Sequence, residues 1–495
     1  MTYDNSAFVR DEGSVFPGKT YVNELLKPIF IAQREHLFQV MFELHRAHVV
    51  MLHEQNLLTE SEKNEIFAGL SSVEAMDPVK LEYQPAYEDL FFLVEAKLGE
   101  RIGTDLAGKM HMGRSRNDMG EGMYRIVLRG HILSLLKDVT QLSEALLGQA
   151  SNHLDSVMPA HTHTQPAQPT TFGHFLTAIF DNLQRDRMRL CQAFRTVNRS
   201  PLGAAAITTT GFPINRQRVA DLLGFDGLME NSYDAIGTGD YLLETAQAVA
   251  SLMVNTGRWV QEFLRFATFE VGLISVAAPY VQISSIMPQK RNPVSVEHAR
   301  ALSSSALGEA MTVVHMLHNT PYGDIVDTED DLQPHLYRSF HKASRVLKLM
   351  NAVVRTMTFN KERAKAEARK NMITITEFAD VLARDHAVSF RKAHHIASLV
   401  AAESLQKGKE LHEWSVADMN EIIRKIGVQL TEQEWQDIVD PAVFVERRFI
   451  CGGPNAKEVQ RMVEDRQHKL NAARQKLDHT SKRLTVVKNH LHSLG

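Results

Sequence analysis

Apolar positions recur along this chain at three- and four-residue steps, and the elements they predict are long helices. After Pro28, residues Leu37, Val40, Met41, Leu44, Met51 and Leu52 form one such stripe, and the proline suits a first helical turn. Between Asp118 and Val157 there is no proline, and Met123, Ile126, Val127, Ile132, Leu135, Leu136, Val139, Leu142 and Leu146 supply an apolar face. That spacing predicts one helix of about 40 residues, or ~60 Å. Two more long stretches, 238–271 and 295–319, follow, and a fourth covers 331–357. Helices beyond ~25 residues need partners along their length. The 114–365 part therefore reads as a central long-helix bundle between helical units at 1–113 and 366–495, and oligomerisation is the natural cover for its outer faces. The last 30 residues, rich in Lys, Arg, Gln and His, read as a solvated helix. Strand signals are sparse, and no glycine-rich loop for a nucleotide stands out.

Three polar clusters interrupt the helical pattern. The first, HMGRSRND (111–118), precedes the longest helix. Gly113 permits a tight backbone, and Ser115, Asn117 and Asp118 are good helix-start residues. With Arg114 and Arg116 they suit an anion, offering helix N–H groups beside a guanidinium fork. The bland alternative is a capped helix with surface arginines. The second, AHTHTQPAQPTTFGHF (160–175), reads as an extended connector, because proline biases the residue before it away from α. It presents Thr162 and His163. Metal binding by His161 and His163 is a rival, although no Cys, Asp or Glu partner lies nearby. The third, ISSIMPQKRNP (283–293), carries Ser284 and Ser285, then Lys290, Arg291 and Asn292, with Glu297 on the helix that follows. A serine can act as a base only where cations and backbone N–H groups stabilise its alkoxide. A basic loop without chemistry is the alternative.

Composition narrows the classes. Of 495 residues 44% are apolar and 23% charged, with net charge −4, so nothing argues for nucleic acid. No run of ~18 or more uncharged apolar residues predicts a membrane span. The N-terminus has acids and no apolar core, unlike a signal peptide. Cys191 and Cys451 suggest no disulfide framework and read as thiols of a reducing cytoplasm. Taken together, two anion-binding cation sets, one His and one Ser are what a dicarboxylate lyase needs. Removing a proton beside a carboxylate makes a doubly charged aci-carboxylate, which preorganised donors must stabilise.

The motifs are also familiar. SSIMPQKRNP resembles the signature loop of the fumarase/aspartase superfamily, GSSxMPxKxNP, with Ile283 where glycine is usual. AGK (107–109) with HMGRSRND, THTQPAQP, SPLGAAAI (200–207) and ERRFICGGP (446–454) are similar, in order, to segments of argininosuccinate lyases. The resemblance implies a mainly α, three-domain lyase assembled as a homotetramer, with each active site drawn from three chains. It implies Ser284 as the base that abstracts the Cβ proton, and Lys290 and Asn292 as carboxylate ligands. It implies Ser115, Arg116 and Asn117 on the fumarate side, Thr162 as a substrate ligand, and His163 paired with Glu297 for charge or proton transfer. No metal or organic cofactor is expected. The small-molecule partner is fumarate and an N-substituted aspartate.

Departures concern the amine. Argininosuccinate lyases usually carry Ser-x-Arg-Asp-Phe where this chain has IGTGDY (236–241), so Gly239 stands at their arginine. Where they carry Tyr-x-x-x-x-Gln-x-x-Lys, this chain has PYGDIVDTEDD (321–331), with Tyr322 retained and neither Gln nor Lys in place. Met112 and Met119 replace a usual Thr and Gln. An acidic segment there favours a cationic leaving amine, and the expected substrate is a diamine- or iminodisuccinate-type adduct. A housekeeping argininosuccinate lyase and an inactive, crystallin-like paralogue are the alternatives.

Overall fold

The computed structural model describes residues 6–494. Its centre is a bundle of five long helices: Arg116–Asn152, Phe172–Val197, Asp240–Phe266, Val294–Leu317 and Gln333–Thr356. Four of these match the stretches read from the sequence. The fifth, Phe172–Val197, buries Leu176, Ile179, Phe180, Leu183, Leu190 and Val197 along one stripe. Each helix packs on two neighbours. Arg116–Asn152 lies between Phe172–Val197 and Gln333–Thr356, while Val294–Leu317 lies between Asp240–Phe266 and Gln333–Thr356. Leu128, Leu142, Leu183, Leu252, Phe263, Phe340 and Met350 meet in their shared core.

An N-terminal body packs against the start of the longest helix. Its central helix, Phe38–Glu54, is buried from Met41 to Leu52 on nearly every side. Pro28 sits in the first turn of the preceding helix, Lys27–His36, where its missing N–H costs nothing. A C-terminal body has its own core of Phe378, Leu382, Ile396, Val400, Trp414, Met419, Trp435 and Ile438. Beyond it the chain does not stay in that body. The 37-residue helix Ala456–His492 returns along Arg116–Asn152. It buries Val459, Met462, Val463, Leu470 and Leu491 and leaves most of its surface to water. Ion pairs fix its course: Arg466 holds Asp181 through both oxygens, at 2.8 and 2.5 Å, and Lys488 reaches Glu43 at 2.6 Å.

The expected extended connector at 160–175 is instead an antiparallel hairpin, Val157–Thr162 with Gln165–Thr171, running into the Phe172–Val197 helix. Pro159 pairs opposite Pro169, so neither strand wants the missing N–H at that rung. The turn residues His163 and Thr164 have φ of 51° and 66°, the positive-φ pair that a tight two-residue hairpin turn requires. No described helix is long and apolar enough to cross a membrane.

Candidate active site

Each polar cluster becomes a shaped loop, and each sits at a different place on the chain. The first is a helix cap. Ser115 is the N-cap of the longest helix, and its Oγ accepts from the Asn117 N–H at 3.4 Å. Gly113 turns the chain into the cap with φ of 73°. Asp118 completes the capping box, its Oδ1 accepting from Ser115 N at 2.9 Å. Its Oδ2 accepts from Gly203 N at 2.8 Å and Ala205 N at 3.2 Å. Asn117 Nδ2 donates to the Ala206 carbonyl at 3.2 Å. SPLGAAAI is thereby latched onto the helix start. Burial pushes the Asp118 carboxyl up to about 6 despite these three donors. The sequence signal for this latch was the Ser-x-x-Asp spacing, which reads only as a helix cap.

Of the two arginines at this helix start, Arg116 stands at the exposed cap. It lies over the Phe92 ring at 4.6 Å and pairs with Asp89 at 2.9 Å and Glu88 at 3.6 Å. Arg114 turns inward instead. Its Nε and Nη2 are buried without hydrogen-bond partners, against a small cavity shared with His48, Asp118 and Arg216. Burial pulls its pKa down to about 10. At its position it backs the cap rather than opening onto it.

The second loop is the hairpin tip. Thr162 ends one strand, and His163 and Thr164 stand exposed at the turn. His161 turns back toward Arg265 at 3.4 Å. Among the described residues no three His, Cys, Asp or Glu side chains are placed to hold a metal ion. The base of the hairpin is held by the C-terminal part. His174 Nε2 contacts the Gly452 carbonyl at 3.0 Å, and Gln168 Nε2 donates to Thr376 Oγ1 at 3.2 Å. The two glycines of ERRFICGGP have separate reasons. Gly452 has φ of 85°, and a methyl group on Gly453 would lie 2.2 Å from the Arg448 carbonyl oxygen.

The third loop is a second small hairpin. Gln282–Ile283 pairs with Arg291–Asn292, which closes residues 284–290 into an exposed loop. Ser284 Oγ accepts from the Met287 N–H at 3.1 Å and the Ile286 N–H at 3.4 Å. Two backbone donors thus already face the oxygen that would carry charge as an alkoxide. Ile283 and Ile286 are 72% and 82% exposed. Lys290 lies in the same exposed loop, Asn292 in its closing strand, and Glu297 in the first turn of the helix beyond.

Tyr322 lies beside residues 233–237. Its hydroxyl donates to Asp234 at 2.7 Å, and its ring stacks on Tyr233 with centroids 5.9 Å apart. Gly239 caps the Asp240–Phe266 helix, where a methyl group would meet Leu317 Cδ2 at 2.7 Å. An arginine there would need Leu317 to move. Within one chain, among the described residues, no hydrogen bond or ion pair joins the Ser284 loop to the His163 hairpin or to the 115–118 cap.

Comparison with known proteins now applies to this frame. A family model described as Lyase matches residues 32–308, and one described as Argininosuccinate lyase C-terminal matches 372–446. Argininosuccinate lyase 2 of Agrobacterium fabrum is 39% identical over 94% of this chain and 93% of its own length. Argininosuccinate lyase of Methanocaldococcus jannaschii is 35% identical over 90% and 91%. Among solved structures, an EDDS lyase variant with bound fumarate superposes with a TM-score of 0.85 at 32% identity, covering 98% of this chain and 96% of that one. EDDS lyase in complex with formate gives the same score at 31%, covering 99% and 97%. The chain is a carbon–nitrogen lyase belonging to the argininosuccinate lyase branch of the fumarase/aspartase superfamily.

Proposed function

We propose that this lyase eliminates fumarate from an N-substituted L-aspartate whose leaving amine is not arginine. Ser284 removes the Cβ proton, and the electrons of that C–H bond flow into the neighbouring carboxylate as an aci-carboxylate. Lys290, Asn292 and the Ser115–Asn117 cap hold the dicarboxylate, with Thr162 as a further ligand. The C–N bond then breaks, its electron pair leaves on nitrogen, and His163 with Glu297 supports proton transfer to the amine. In the reverse direction an amine adds to fumarate. The substrate's own carboxylate is the electron sink, so the reading calls on no cofactor.

The observation that carries this reading is the contrast between two halves of one region. The fumarate-side motifs keep Ser115, Arg116, Asn117, Ser284, Lys290 and Asn292, and two backbone N–H groups face Ser284 Oγ. The amine-side segment bears acids where argininosuccinate lyases bear Gln and Lys. A diamine-type or iminodisuccinate-type adduct meets that description. The curated relatives named argininosuccinate lyase support a second reading, in which arginine leaves.

We further propose a homotetramer with each site shared by three chains. Its support is the separation of the three clusters within one chain and an outward groove between Asp240–Phe266 and Val294–Leu317. Val254, Gly257, Ser304 and Leu307 line that groove, and small residues there let another helix approach closely. The test of the reaction is fumarate consumption, followed by loss of fumarate absorbance, with arginine, ethylenediamine, aspartate and ammonia. Consumption with at least one amine other than arginine is expected. Consumption with arginine alone would establish the second reading, and none with any amine would refute the reaction.

A further inference from the structure

We infer that Asp118 is a positioning residue for the fumarate side of the site, acting on Asn117 through the turn at 203–206; this rests on the reading above that the Ser115–Asn117 cap binds carboxylate. The turn belongs to SPLGAAAI (200–207), a motif of which the reaction as written uses no atom. Residues 201–205 are buried yet lie in no helix or strand. Their backbone N–H and C=O groups therefore need partners from elsewhere. Two side chains supply most of them, from opposite sides. Asp118, only 1% exposed, takes the donors: Oδ2 accepts from Gly203 N and Ala205 N, at 2.8 and 3.2 Å. Arg216 takes the acceptors. Its Nε donates to the Leu202 carbonyl at 2.9 Å, and its Nη2 to those of Pro201 and Met229 at 3.3 and 2.8 Å. Its Nη1 donates to the Glu230 carbonyl at 3.0 Å.

The backbone held this way is strained. Ala205 and Thr209 have φ of 53° and 66°, a conformation disfavoured for residues with a Cβ and most of all for a β-branched one. Thr209 N donates to the Ala204 carbonyl at 2.8 Å and closes the loop. Such strain persists only where the surroundings over-determine it. What it holds in place is the Ala206 carbonyl, which accepts from Asn117 Nδ2 at 3.2 Å. Asn117 Oδ1 in turn accepts from Ser115 Oγ at 3.1 Å. The amide is thus fixed at both ends, with one Nδ2 hydrogen committed to Ala206 and the other left for a carboxylate at the cap. An amide released from that carbonyl is free to turn its oxygen toward the anion. A capping box needs only the Oδ1 bond to Ser115 N. The second oxygen, spent on Gly203 and Ala205, is what capping does not explain.

The test uses the full-length protein, fumarate as the ligand, and the variants Asp118→Asn, Arg216→Lys and Asn117→Ala. Calorimetry gives the fumarate dissociation constant, and thermal unfolding gives Tm. An asparagine at 118 keeps the volume but must turn N–H groups toward Ser115 N or toward the 203–205 donors. Asp118→Asn is expected to weaken fumarate binding about tenfold. Combined with Asn117→Ala, it should add no more than about twofold to the loss from Asn117→Ala alone, because both act through one amide. Arg216→Lys keeps the charge and loosens the carbonyl side of the turn. It should weaken fumarate about threefold, again with almost nothing added to Asn117→Ala, and it decides the matter where Asp118→Asn does not fold. A residue that only supports the fold would lower Tm at an unchanged dissociation constant, and that result would overturn the inference. Losses that multiply fully with that of Asn117→Ala would overturn it too. Both outcomes leave the cap standing as the carboxylate site. A wild-type protein that binds no fumarate would overturn the reading of the cap and the inference with it.

Discussion

Ser284→Ala is expected to lower fumarate release by about 10²- to 10⁴-fold, the usual worth of a positioned general base. The reason is local. Ser284 Oγ already accepts two backbone N–H groups, from Ile286 and Met287, and those donors stabilise it further once it carries charge. Lys290 adds a cation a few residues on. The loop is closed by main-chain pairing of 282–283 with 291–292, so the substitution removes the oxygen without removing the hairpin. Kinetics and oligomeric state together check this. A drop in kcat with unchanged assembly is expected, and activity near that of the wild type would rule out Ser284 as the base. The same variant tests the shared site. Mixed with His163→Asn and reassembled, two inactive proteins should regain activity, because some sites then take serine from one chain and histidine from another. No regain from well-assembled mixtures would place each site within one chain.

Glu377→Gln is expected to destabilise the C-terminal body by about 3–5 kcal/mol, the cost of breaking a buried ion pair from one side. Glu377 is fully buried, and both its oxygens are in use. Arg447 Nη1 donates to Oε1 at 2.9 Å and Arg384 Nη2 at 3.2 Å, while Arg448 Nη1 donates to Oε2. An amide in that place leaves three guanidiniums with a neutral acceptor and an unwanted donor, each keeping only its second carboxylate, Asp385, Asp437 or Asp380. Urea unfolding with hydrogen exchange should show amides of the 372–446 region opening first. A stability within about 1 kcal/mol of wild type would mean that the pairs with Asp385, Asp437 and Asp380 suffice for the arginines.

The same cluster sets an acid limit. Burial favours the protonated form of Glu377, but hydrogen bonds from Arg448 and Arg447 outweigh it and hold the pKa below its ordinary 4.5. A depressed carboxyl pKa contributes stability that is complete above the ordinary value and lost as pH falls through the lowered one. Acid destabilisation of this body is therefore expected as pH falls below the ordinary carboxyl range, and the Gln variant should lack that part of the pH dependence. Because ERRFICGGP also carries the Gly452 contact to His174, loosening it should weaken the support of the hairpin that presents His163.

How much of this was legible in the sequence depends on which force decided each part. Four of the long bundle helices were, because their apolar stripes are continuous and the one proline among them, Pro334, sits in a first turn. Their ends came within a few residues, as for Val294–Leu317 against 295–319. The return of Ala456–His492 to the bundle was not. Five buried apolar residues spread over ten turns leave too faint a stripe, and its position is set by distant ion pairs such as Lys488 with Glu43. Residues 160–175 read as an extended connector because proline biases the residue before it away from α, a signal that says nothing of strand pairing. The prolines are tolerated since Pro159 and Pro169 face each other. The candidate site residues stand out as motifs, and their local geometry does not. Nothing in RSR says that Arg114 turns inward while Arg116 turns out, because that choice is made by the His48 and Asp118 surroundings.

The most direct measurement of the central claim is kcat/KM for argininosuccinate with the purified protein, followed by fumarate release. With acids in place of the Gln and Lys, and glycine at 239, this account predicts a value at least a hundredfold below the roughly 10⁴ M⁻¹s⁻¹ at which ordinary enzymes begin. Turnover of argininosuccinate within the ordinary range would contradict it and return arginine as the leaving amine.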